Sequence, residues 1–380
     1  MTQQLLQFFN NRQSEILGFL RELVETESPS NDVAGSSSIV NLIEREAQKI
    51  PVVDSVERIE AKGYGEHLLI RAFGKNTDKK PILLLGHTDT VYPRGTLAER
   101  PWREEDGKIF APGIFDMKSG CALMIEVLRA FSNLNLQPAR PITILLSCDE
   151  EIGSPTGRAL VEREARKSEF CLVCEPSAKN GQVKTGRKGT GHYTLSAHGI
   201  AAHAGLEPEK GASAILEISR QIEKLHALTN FEIGTTVTVG TIQGGTTSNV
   251  VPAEAQCEID VRFTSMTEAR RIEDEIRNLK AFDDRVRLEI EGAINRPPME
   301  RTKQVAALFE KARTIAATFD YDLGETQVGG ASDGNFVGAL GVPVLDGLGV
   351  TGDGAHAIHE HIIAADIPKR AALVAALLLD

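Results

Sequence analysis

The chain contains 5 cysteines among 380 residues. That number is too small for a disulfide framework in a chain of this length, and an odd number leaves at least one thiol free. Cys171 and Cys174 form a C-x-x-C pair, but the sequence has no second pair to complete a structural zinc site. We therefore expect buried thiols in a reducing compartment.

Long apolar runs and excess positive charge are also missing. The longest apolar run, Ala371 to Leu379, is less than half a bilayer span, and polar residues between Met1 and Leu20 interrupt any signal-peptide core. Because the net charge is −11 and no basic patch stands out, binding to nucleic acid or to a membrane surface is not expected. These absences predict a soluble, cytoplasmic protein without a repeat architecture.

Apolar periodicity predicts how the chain is organised. Two amphipathic helices, Gln13 to Val24 and Ser38 to Ile50, open the chain. They are followed by short apolar strands and further helices, and the strand Phe170 to Cys174 shows no polar alternation, as expected for a sheet covered on both faces. The predicted strands are His67 to Phe73, Pro81 to Leu85, Pro141 to Leu146 and Phe170 to Cys174, and the predicted helices are Lys118 to Phe131 and Thr156 to Arg166.

The hydrophobic pattern changes near residue 184, and the predicted strands that follow alternate between apolar and polar residues. The order strand, helix, strand, strand, helix, strand (βαββαβ) is the ferredoxin-like arrangement. We therefore predict an α/β protein with a three-layer α/β/α catalytic domain formed by residues 1–183 and 295–380. Residues 184–294 would form an inserted ferredoxin-like lid and dimerisation domain.

Several acidic and histidine residues follow the ends of predicted core strands. His87 and Asp89 follow the strand at Pro81, Glu150 and Glu151 follow the strand at Pro141, and Glu175 follows the next strand. Ligand sites in open α/β sheets lie at this edge. Taken alone, the segment with His87 and Asp89 is better explained as a surface turn, and the segment with Glu150 and Glu151 as a solvated acidic turn.

Two further chain segments add potential ligands. Asp116 precedes a predicted helix, where it could simply be the N-cap, and His356 lies in a glycine-containing loop that could be exposed. Together with the strand-end residues, these side chains suit a pair of divalent metal ions sharing one carboxylate. A bridging water would then be the nucleophile, and one of the two consecutive glutamates could be its base.

In their order along the chain, these motifs resemble the di-zinc metallopeptidases that include bacterial glutamate carboxypeptidases, acetylornithine deacetylase and succinyl-diaminopimelate desuccinylase. The segments that carry the resemblance are Gly86 to Asp89, Gly113 to Gly120, Asp149 to Ser154, Cys174 to Pro176 and His356 to Glu360. It implies two Zn²⁺ ions, replaceable by Co²⁺ or Mn²⁺. His87 and Glu175 would hold one ion and Glu151 and His356 the other, with Asp116 bridging, Glu150 as general base and Asp89 as partner of His87.

The resemblance extends to the inserted domain. There it implies that His203 stabilises the oxyanion with Asn249 nearby, and that Arg262 and Arg296 pair with a free substrate carboxylate. Gly330 lies in a loop that resembles the one lining the family's substrate pocket, although Ala331 stands where a third glycine is usual. Exposed surface arginines are the alternative for Arg262 and Arg296.

The predicted activity is hydrolysis of the amide that joins a C-terminal, glutamate-like residue to a peptide or acyl group, as in a carboxypeptidase. The rivals are a biosynthetic N-acyl-amino-acid deacylase and, more remotely, a non-catalytic metal- or peptide-binding protein. A pure binding protein has no use for a base such as Glu150. By resemblance, the protein is expected to be a homodimer.

Overall fold

A computed structural model describes residues 1–75 and 77–379. The chain divides into two compact units. Unit 1 contains Met1–Gly186, Arg301–Val328 and Ser332–Asp380, and unit 2 contains Arg187–Glu300 and Gly329–Ala331. The predicted inserted domain covers residues 184–294, whereas unit 2 covers Arg187–Glu300 and also includes Gly329–Ala331, which the prediction placed in the catalytic domain.

Unit 1 holds both the first half and the last part of the chain. Its helices are α1 (Thr2–Asn11), α2 (Gln13–Glu25), α3 (Val33–Gln48), α4 (Thr96–Glu99), α5 (Ser119–Asn133), α6 (Gly157–Lys167), α9 (Lys303–Ala317), α10 (Gly334–Ala339) and α11 (Ile367–Leu379). Its strands are β1 (Val53–Ala61), β2 (Gly65–Ala72), β3 (Ile82–His87), β4 (Arg103–Glu105), β5 (Lys108–Phe110), β6 (Ile142–Ser147), β7 (Cys171–Val173), β8 (Val183–Arg187, whose last residue belongs to unit 2), β15 (Glu325–Val328), β16 (Val344–Leu345), β17 (Gly352–Asp353) and β18 (His361–Ile363).

A six-stranded sheet in the order β1-β2-β6-β3-β7-β16 forms the centre of unit 1. Strands β6, β3, β7 and β16 run parallel to one another, while β1 and β2 are antiparallel additions at one edge. The residues that follow β3, β6 and β7 therefore meet at one edge of the sheet.

Helices cover both faces of this sheet. Ile82 and Leu84 belong to a large apolar cluster with residues of α1, α2, α3, α5, α9 and α11. Leu83 and Leu85 point to the opposite face because side chains alternate along a strand, and they too are fully buried. Helix α10 contacts α6 and β7. The predicted three-layer α/β/α arrangement is confirmed.

Some short or weakly patterned elements of unit 1 escaped prediction. Three helices, not two, precede the first strand, because α1 lies before α2 and is separated from it by Arg12. Strand β1 was also missed. So was a small sheet in the order β17-β18-β5-β4, whose strands have only two or three residues each.

Unit 2 consists mainly of a four-stranded antiparallel sheet with two helices. Its main elements follow one another as β9 (Gly189–His198), α7 (Ala214–His226), β11 (Thr236–Gly244), β13 (Glu254–Phe263), α8 (Met266–Arg277) and β14 (Arg287–Arg296). The strand order β11-β13-β9-β14 is that of a ferredoxin-like sheet, as predicted. Two shorter strands, β10 (Ala202–His203) and β12 (Val250–Val251), pair with each other outside this sheet.

Alternation along these strands explains how unit 2 folds. On β13, every second residue, such as Cys257, Ile259 and Val261, is buried in an apolar cluster shared with both helices. The residues between them are exposed or half-buried, so the opposite face of the sheet lacks helix cover. Within residues 1–75 and 77–379, every helix falls short of the length and apolar character needed to cross a bilayer.

Candidate functional site

The imidazole of His87 lies at the end of β3, in the interior of unit 1. It is 1% exposed, so the alternative of a surface turn is wrong. Its Nδ1 is 2.9 Å from the backbone oxygen of Asp89 and 3.4 Å from that residue's Oδ1. Both contacts direct Nε2 away from Asp89 and towards the carboxylates described next.

Asp116 places its carboxylate between two histidines. It lies in an irregular turn, Ile114–Lys118, and the peptide bond to Met117 is cis. Its Oδ1 is 3.2 Å from His87 Nε2, and its Oδ2 is 3.5 Å from His356 Nε2. The N-cap alternative is wrong, because α5 begins three residues later with Lys118 as its N-cap.

Glu151 and His356 lie on the other side of Asp116 from His87. These residues together form a cluster of carboxylates and imidazoles. Glu151 Oε2 is 3.1 Å from His356 Nε2. Burial raises the pKa of Glu151 to about 7, while the carboxylates of Asp116 and Glu151 raise the pKa of His356 to about 10. The other oxygen, Glu151 Oε1, is buried and accepts no hydrogen bond from any residue in the described parts of the chain.

Glu175, just after β7, lies against His87. Its Oε1 lies 3.3 Å from His87 Nε2. Burial lowers the pKa of His87, but the carboxylates of Asp116, Asp89 and Glu175 outweigh burial and raise that pKa well above its usual value. The carboxylates that converge on Nε2 therefore favour a positive charge at this position.

The donor atoms suit divalent metal ions. Ligand atoms of His87, Asp116 and Glu151 lie within 4.8 Å of one another, and so do those of His87, Glu150 and Glu175. Imidazole nitrogen and carboxylate oxygen are usual ligands of zinc and related divalent metals. The raised histidine pKa values and the unsatisfied Glu151 oxygen both mark a place where a cation would stabilise the native structure.

Glu150 and Glu151 share a short helical turn whose backbone is held by Asp89. The Asp89 carboxylate accepts hydrogen bonds from the backbone N–H groups of Glu150 (3.2 Å) and Glu151 (3.1 Å), and from the hydroxyl of Ser30 (2.7 Å). Glu150 is 7% exposed, so the alternative of a solvated acidic turn is wrong. Asp89 therefore touches both His87 and the two glutamates.

Sequence reasoning assigned no role to Glu360. Its buried carboxylate accepts hydrogen bonds from the backbone N–H groups of Gly113 (2.8 Å), Phe115 (2.9 Å) and Asp116 (2.9 Å). The sequence feature that could have identified Glu360 is its position at the end of the motif from His356 to Glu360. This carboxylate fixes the turn that carries Asp116.

A buried polar network also supports the turn that contains Glu150. Asp149 Oδ2 accepts hydrogen bonds from the backbone and hydroxyl of Thr156 and from the backbone of Gly157, at the start of α6. His67 Nε2 lies 2.9 Å from the Thr156 hydroxyl, and its Nδ1 accepts a hydrogen bond from the backbone of Cys148. His67, Asp149 and Thr156 were not predicted as site residues.

The loop after Gly330 is anchored in the interior. Asp333 accepts hydrogen bonds from the hydroxyls of Ser147 (3.0 Å) and Ser154, which flank the acidic turn. Within unit 2, the carbonyl of Gly330 accepts a hydrogen bond from Arg187 Nη1 at 3.1 Å. Arg187 is buried and was another residue missed from the sequence.

The predicted substrate-binding residues His203 and Asn249 lie together in unit 2. His203 is exposed on β10 and pairs with Val250 of β12, and the backbone of Ala204 donates to the Asn249 carbonyl at 2.9 Å. Arg262, on β13, donates to both carboxylate oxygens of Asp260, and Arg296 ends β14 as a largely buried side chain. Arg262 is therefore an ion-paired side chain and not a solvated surface arginine.

All five cysteines are free and buried, as expected. Burial raises the pKa of the thiols of Cys121 and Cys148 to about 12, so these thiols remain protonated. The Sγ of Cys121 donates a hydrogen bond to the backbone oxygen of His87.

Comparison with known proteins agrees with this geometry. The sequence profile of peptidase family M20/M25/M40 matches residues 83–380. Carboxypeptidase G2 of Pseudomonas sp. (strain RS-16) is 28% identical over 99% of this chain and 91% of its own length, and succinyl-diaminopimelate desuccinylase of Halorhodospira halophila is 27% identical over 93% and 95%.

Solved structures show the same fold over nearly the whole length. Aminopeptidase PepT of Bacillus cereus aligns over 96% of this chain and 98% of its own, with a TM-score of 0.80 and 23% identity. The M20 family metallo-carboxypeptidase Sso-CP2 of Sulfolobus solfataricus aligns over 96% and 98%, with a TM-score of 0.74 and 16% identity. The chain therefore belongs to peptidase family M20/M25/M40 and is a metal-dependent enzyme of the peptidase and amidohydrolase type.

Proposed function

We propose that this enzyme hydrolyses the amide on the amino side of a C-terminal, glutamate-like residue in a peptide or N-acyl amino acid. The observation that carries the proposal is the convergence of five potential ligands with Glu150 at one edge of the central sheet. Those ligands are His87, Asp116, Glu151, Glu175 and His356. The similarity to carboxypeptidase G2 over 99% of the chain supports the carboxypeptidase reading.

The five side chains would hold two divalent ions, which we propose to be Zn²⁺, with Co²⁺ or Mn²⁺ as substitutes. His87 and Glu175 would ligate one ion, Glu151 and His356 the other, and Asp116 would contact both. Such a pair, when bound, polarises the scissile carbonyl and lowers the pKa of a shared water to near 7. The opposed contacts of the two Asp116 oxygens with His87 and His356 support the bridging role.

Glu150 would act as the general base. It accepts a proton from the attacking water and returns that proton to the leaving amine. Its backbone is fixed by Asp89, and its carboxylate lies close to the potential ligand atoms of His87 and Glu175. Asp89 would also keep the His87 ring oriented through Nδ1.

Residues of unit 2 would bind the rest of the substrate. His203 would donate to the oxyanion that develops on the carbonyl, with Asn249 beside it. Arg262 and Arg296 would pair with the free carboxylate of the C-terminal residue, and Gly330 would leave room for the substrate. A substrate carboxylate would have to compete with Asp260 for the Arg262 guanidinium.

A biosynthetic N-acyl-amino-acid deacylase is the second candidate. The similarity to succinyl-diaminopimelate desuccinylases, which match 77% or more of this chain, favours it. The more remote alternative, a non-catalytic binding protein, does not agree with membership of this peptidase family, and the buried carboxylate of Glu150 also argues against it.

A substrate panel separates these candidates. Zinc-loaded and cobalt-loaded protein would be incubated with dipeptides and N-acyl amino acids that end in Glu, Asp, ornithine or diaminopimelate, and amine release would be measured. We expect the highest kcat/KM for substrates ending in Glu. Preference for ornithine or diaminopimelate would establish the deacylase, and absence of turnover with every substrate at full metal occupancy would contradict both enzymatic proposals.

The assembly would be a homodimer formed through unit 2. Strand β11 lies at an edge of the unit 2 sheet and pairs on one side with β13. Its second half is largely exposed and includes Ile242, which is 52% exposed. An edge of this kind needs a partner or protection, and pairing with a second copy would supply it.

A further inference from the structure

A cavity of about 550 Å³ opens in unit 1 directly beside Glu151. We infer that it binds the acyl group of the substrate and selects acyl groups that are bulky and apolar. The inference rests on the proposed amide hydrolysis, because that reaction defines an acyl side and an amine side. The cavity lies wholly within unit 1, between residues 29–32, 90–94 and 151–152.

Two backbone segments form its floor and are held together by a short parallel bridge. Pro29 pairs with Thr90, the Ser30 N–H donates to the Thr90 carbonyl at 3.1 Å, and the Thr90 N–H donates to the Ser28 carbonyl at 3.0 Å. Asn31 has a positive φ of 68°, which turns the chain towards α3. The floor is therefore a built surface with its backbone groups paired.

The cavity shares one lining residue, Glu151, with the candidate catalytic cluster. Glu151 belongs to its wall, and the same side chain contacts His356 at 3.1 Å. Ser30, on the floor, donates its hydroxyl to Asp89, whose carboxylate also accepts the backbone N–H of Glu150 and Glu151. A group seated in the cavity therefore lies beside the proposed catalytic residues. Because the C-terminal residue of the substrate is proposed to pair with Arg262 and Arg296, the acyl group is the part of the substrate that remains for this cavity.

The lining determines the chemistry of the occupant. Pro29, Val91, Pro93 and Ile152 present apolar surface, and Val91 and Ile152 are 41% and 42% exposed, so both side chains are accessible to an occupant. The two charged groups of the lining other than Glu151, Asp32 and Arg94, are paired with each other through Arg94 Nε at 2.8 Å. The cavity thus offers apolar contacts and a neutralised ion pair, which favours a branched aliphatic acyl group over a charged one.

Three glutamate derivatives with the same leaving amino acid would test this inference. They are N-acetylglutamate, N-(4-methylpentanoyl)glutamate and N-succinylglutamate. The wild type is expected to show a kcat/KM for the 4-methylpentanoyl compound at least about tenfold above that for the acetyl compound, since each methylene in a fitting apolar pocket contributes discrimination. Preference for the acetyl or succinyl compound would overturn the inference.

The pocket-filling variant Val91→Trp assigns the preference to this cavity. It should lower the ratio of kcat/KM for the 4-methylpentanoyl compound to kcat/KM for the acetyl compound about tenfold or more, because the indole fills the space that the larger acyl group needs. Val33→Trp is the matched control, because Val33 is 50% exposed on nearby α3 and does not line the cavity. An equal loss on both substrates in Val91→Trp, or the same selectivity change in Val33→Trp, would contradict the inference.

Binding measurements keep this inference separate from the proposed function. In the Glu150→Ala background, calorimetric titration should show tighter binding of the 4-methylpentanoyl compound than of the acetyl compound, and Val91→Trp should remove that difference. If wild-type protein hydrolysed none of the compounds but showed this binding pattern, the proposed reaction would fail and the cavity's preference for apolar groups would stand. Equal affinities for the two compounds would overturn the cavity assignment irrespective of turnover.

Discussion

The carboxylate of Glu360 accepts the backbone N–H of Asp116 at 2.9 Å, although the two residues are 244 positions apart in the chain. The same carboxylate also accepts N–H groups from Gly113 and Phe115. One side chain from the C-terminal part of unit 1 thus sets the path of the turn on which the central carboxylate lies.

Replacing Glu360 with Gln should therefore weaken metal binding. The amide keeps the size of the side chain but lacks the charge and one of the two acceptor oxygens that serve three N–H donors, so the Asp116 turn loosens. Loss of such supporting contacts typically lowers metal affinity about 10–100-fold. Competition with a chromophoric chelator would measure the change. Glu99→Gln, at an exposed position, is the control, and unchanged affinity in Glu360→Gln would disprove the positioning role.

Glu150→Ala should retain its metals and lose nearly all turnover. The proposed base contacts the attacking water, and removal of a general base costs about 10²–10⁴-fold in rate. Glu151→Ala is the comparison variant and should lose metal, because that carboxylate lies against His356. Elemental analysis and single-turnover rates give both readouts. An empty Glu150→Ala protein beside a fully loaded Glu151→Ala protein would reverse the two assignments.

The neutral form of His67 should make stability depend on pH. Burial lowers the pKa of His67 in the folded protein, so the unfolded chain binds a proton more readily. The contribution of neutral His67 to the free energy of unfolding is therefore present above the unfolded pKa of about 6.5. It is lost as the pH falls from there towards the lower pKa of the folded state. His67→Gln should remove this part of the pH dependence and retain a donor for Thr156.

Chemical denaturation at pH 8 and pH 5.5 would test this. The free energy of unfolding of the wild type should fall more between the two pH values than that of His67→Gln. The exposed His192→Gln is the control, since its ring lies 64% accessible on the open face of unit 2. Parallel pH dependence in wild type and His67→Gln would show that His67 is not protonated on unfolding in this range.

Amidation of the substrate's C-terminal carboxylate should abolish efficient cleavage. Arg262 and Arg296 would then face a neutral group, and charge-assisted hydrogen bonds contribute roughly 1.5–3 kcal/mol each. The ratio of kcat/KM for the free acid and the amide is the measurement. It should shrink in Arg262→Ala, which serves as the internal check. Equal rates on acid and amide in the wild type would refute the carboxylate clamp.

Core elements with strong periodicity could be predicted from the sequence. The strands around Leu84, Ile144 and Leu172 are continuous apolar runs, and buried parallel strands produce that pattern whatever follows them. Because parallel strands share an edge, the approach of His87, Glu150 and Glu175 also followed from the predicted order. The ferredoxin-like unit was also predictable, because buried and more exposed residues alternate along β9 and β13.

The remaining features depend on contacts between distant parts of the chain. Strands of two or three residues, such as β17 and β18, contain too few positions to show a period. The hydrogen bonds of Glu360 to the Asp116 turn, and of His67 to Thr156 across 89 positions, carry no local signal at either residue. Buried polar networks of this kind are specified only once the sheet has formed.

The last prediction concerns assembly: His203 should complete the active site of the partner chain in a homodimer. Glu150→Ala and His203→Ala would each be inactive, and mixed dimers would be formed by unfolding and refolding the two proteins together. Each mixed dimer then contains one site with an intact Glu150 and an intact His203 from the other chain. Random pairing makes about half of the dimers mixed, so about a quarter of all sites should be active.

Each variant refolded alone is the control and should remain inactive. Distinct affinity tags on the two variants would allow mixed dimers to be purified, so that their presence is established independently of activity. Activity that appears only in the doubly tagged fraction, near half of the wild-type value per dimer, would place His203 in the partner's site, because only trans complementation rebuilds an intact site from these two chains. Doubly tagged dimers without activity would place His203 in its own chain's site or outside the mechanism, and a monomer in sedimentation analysis would remove the dimer itself.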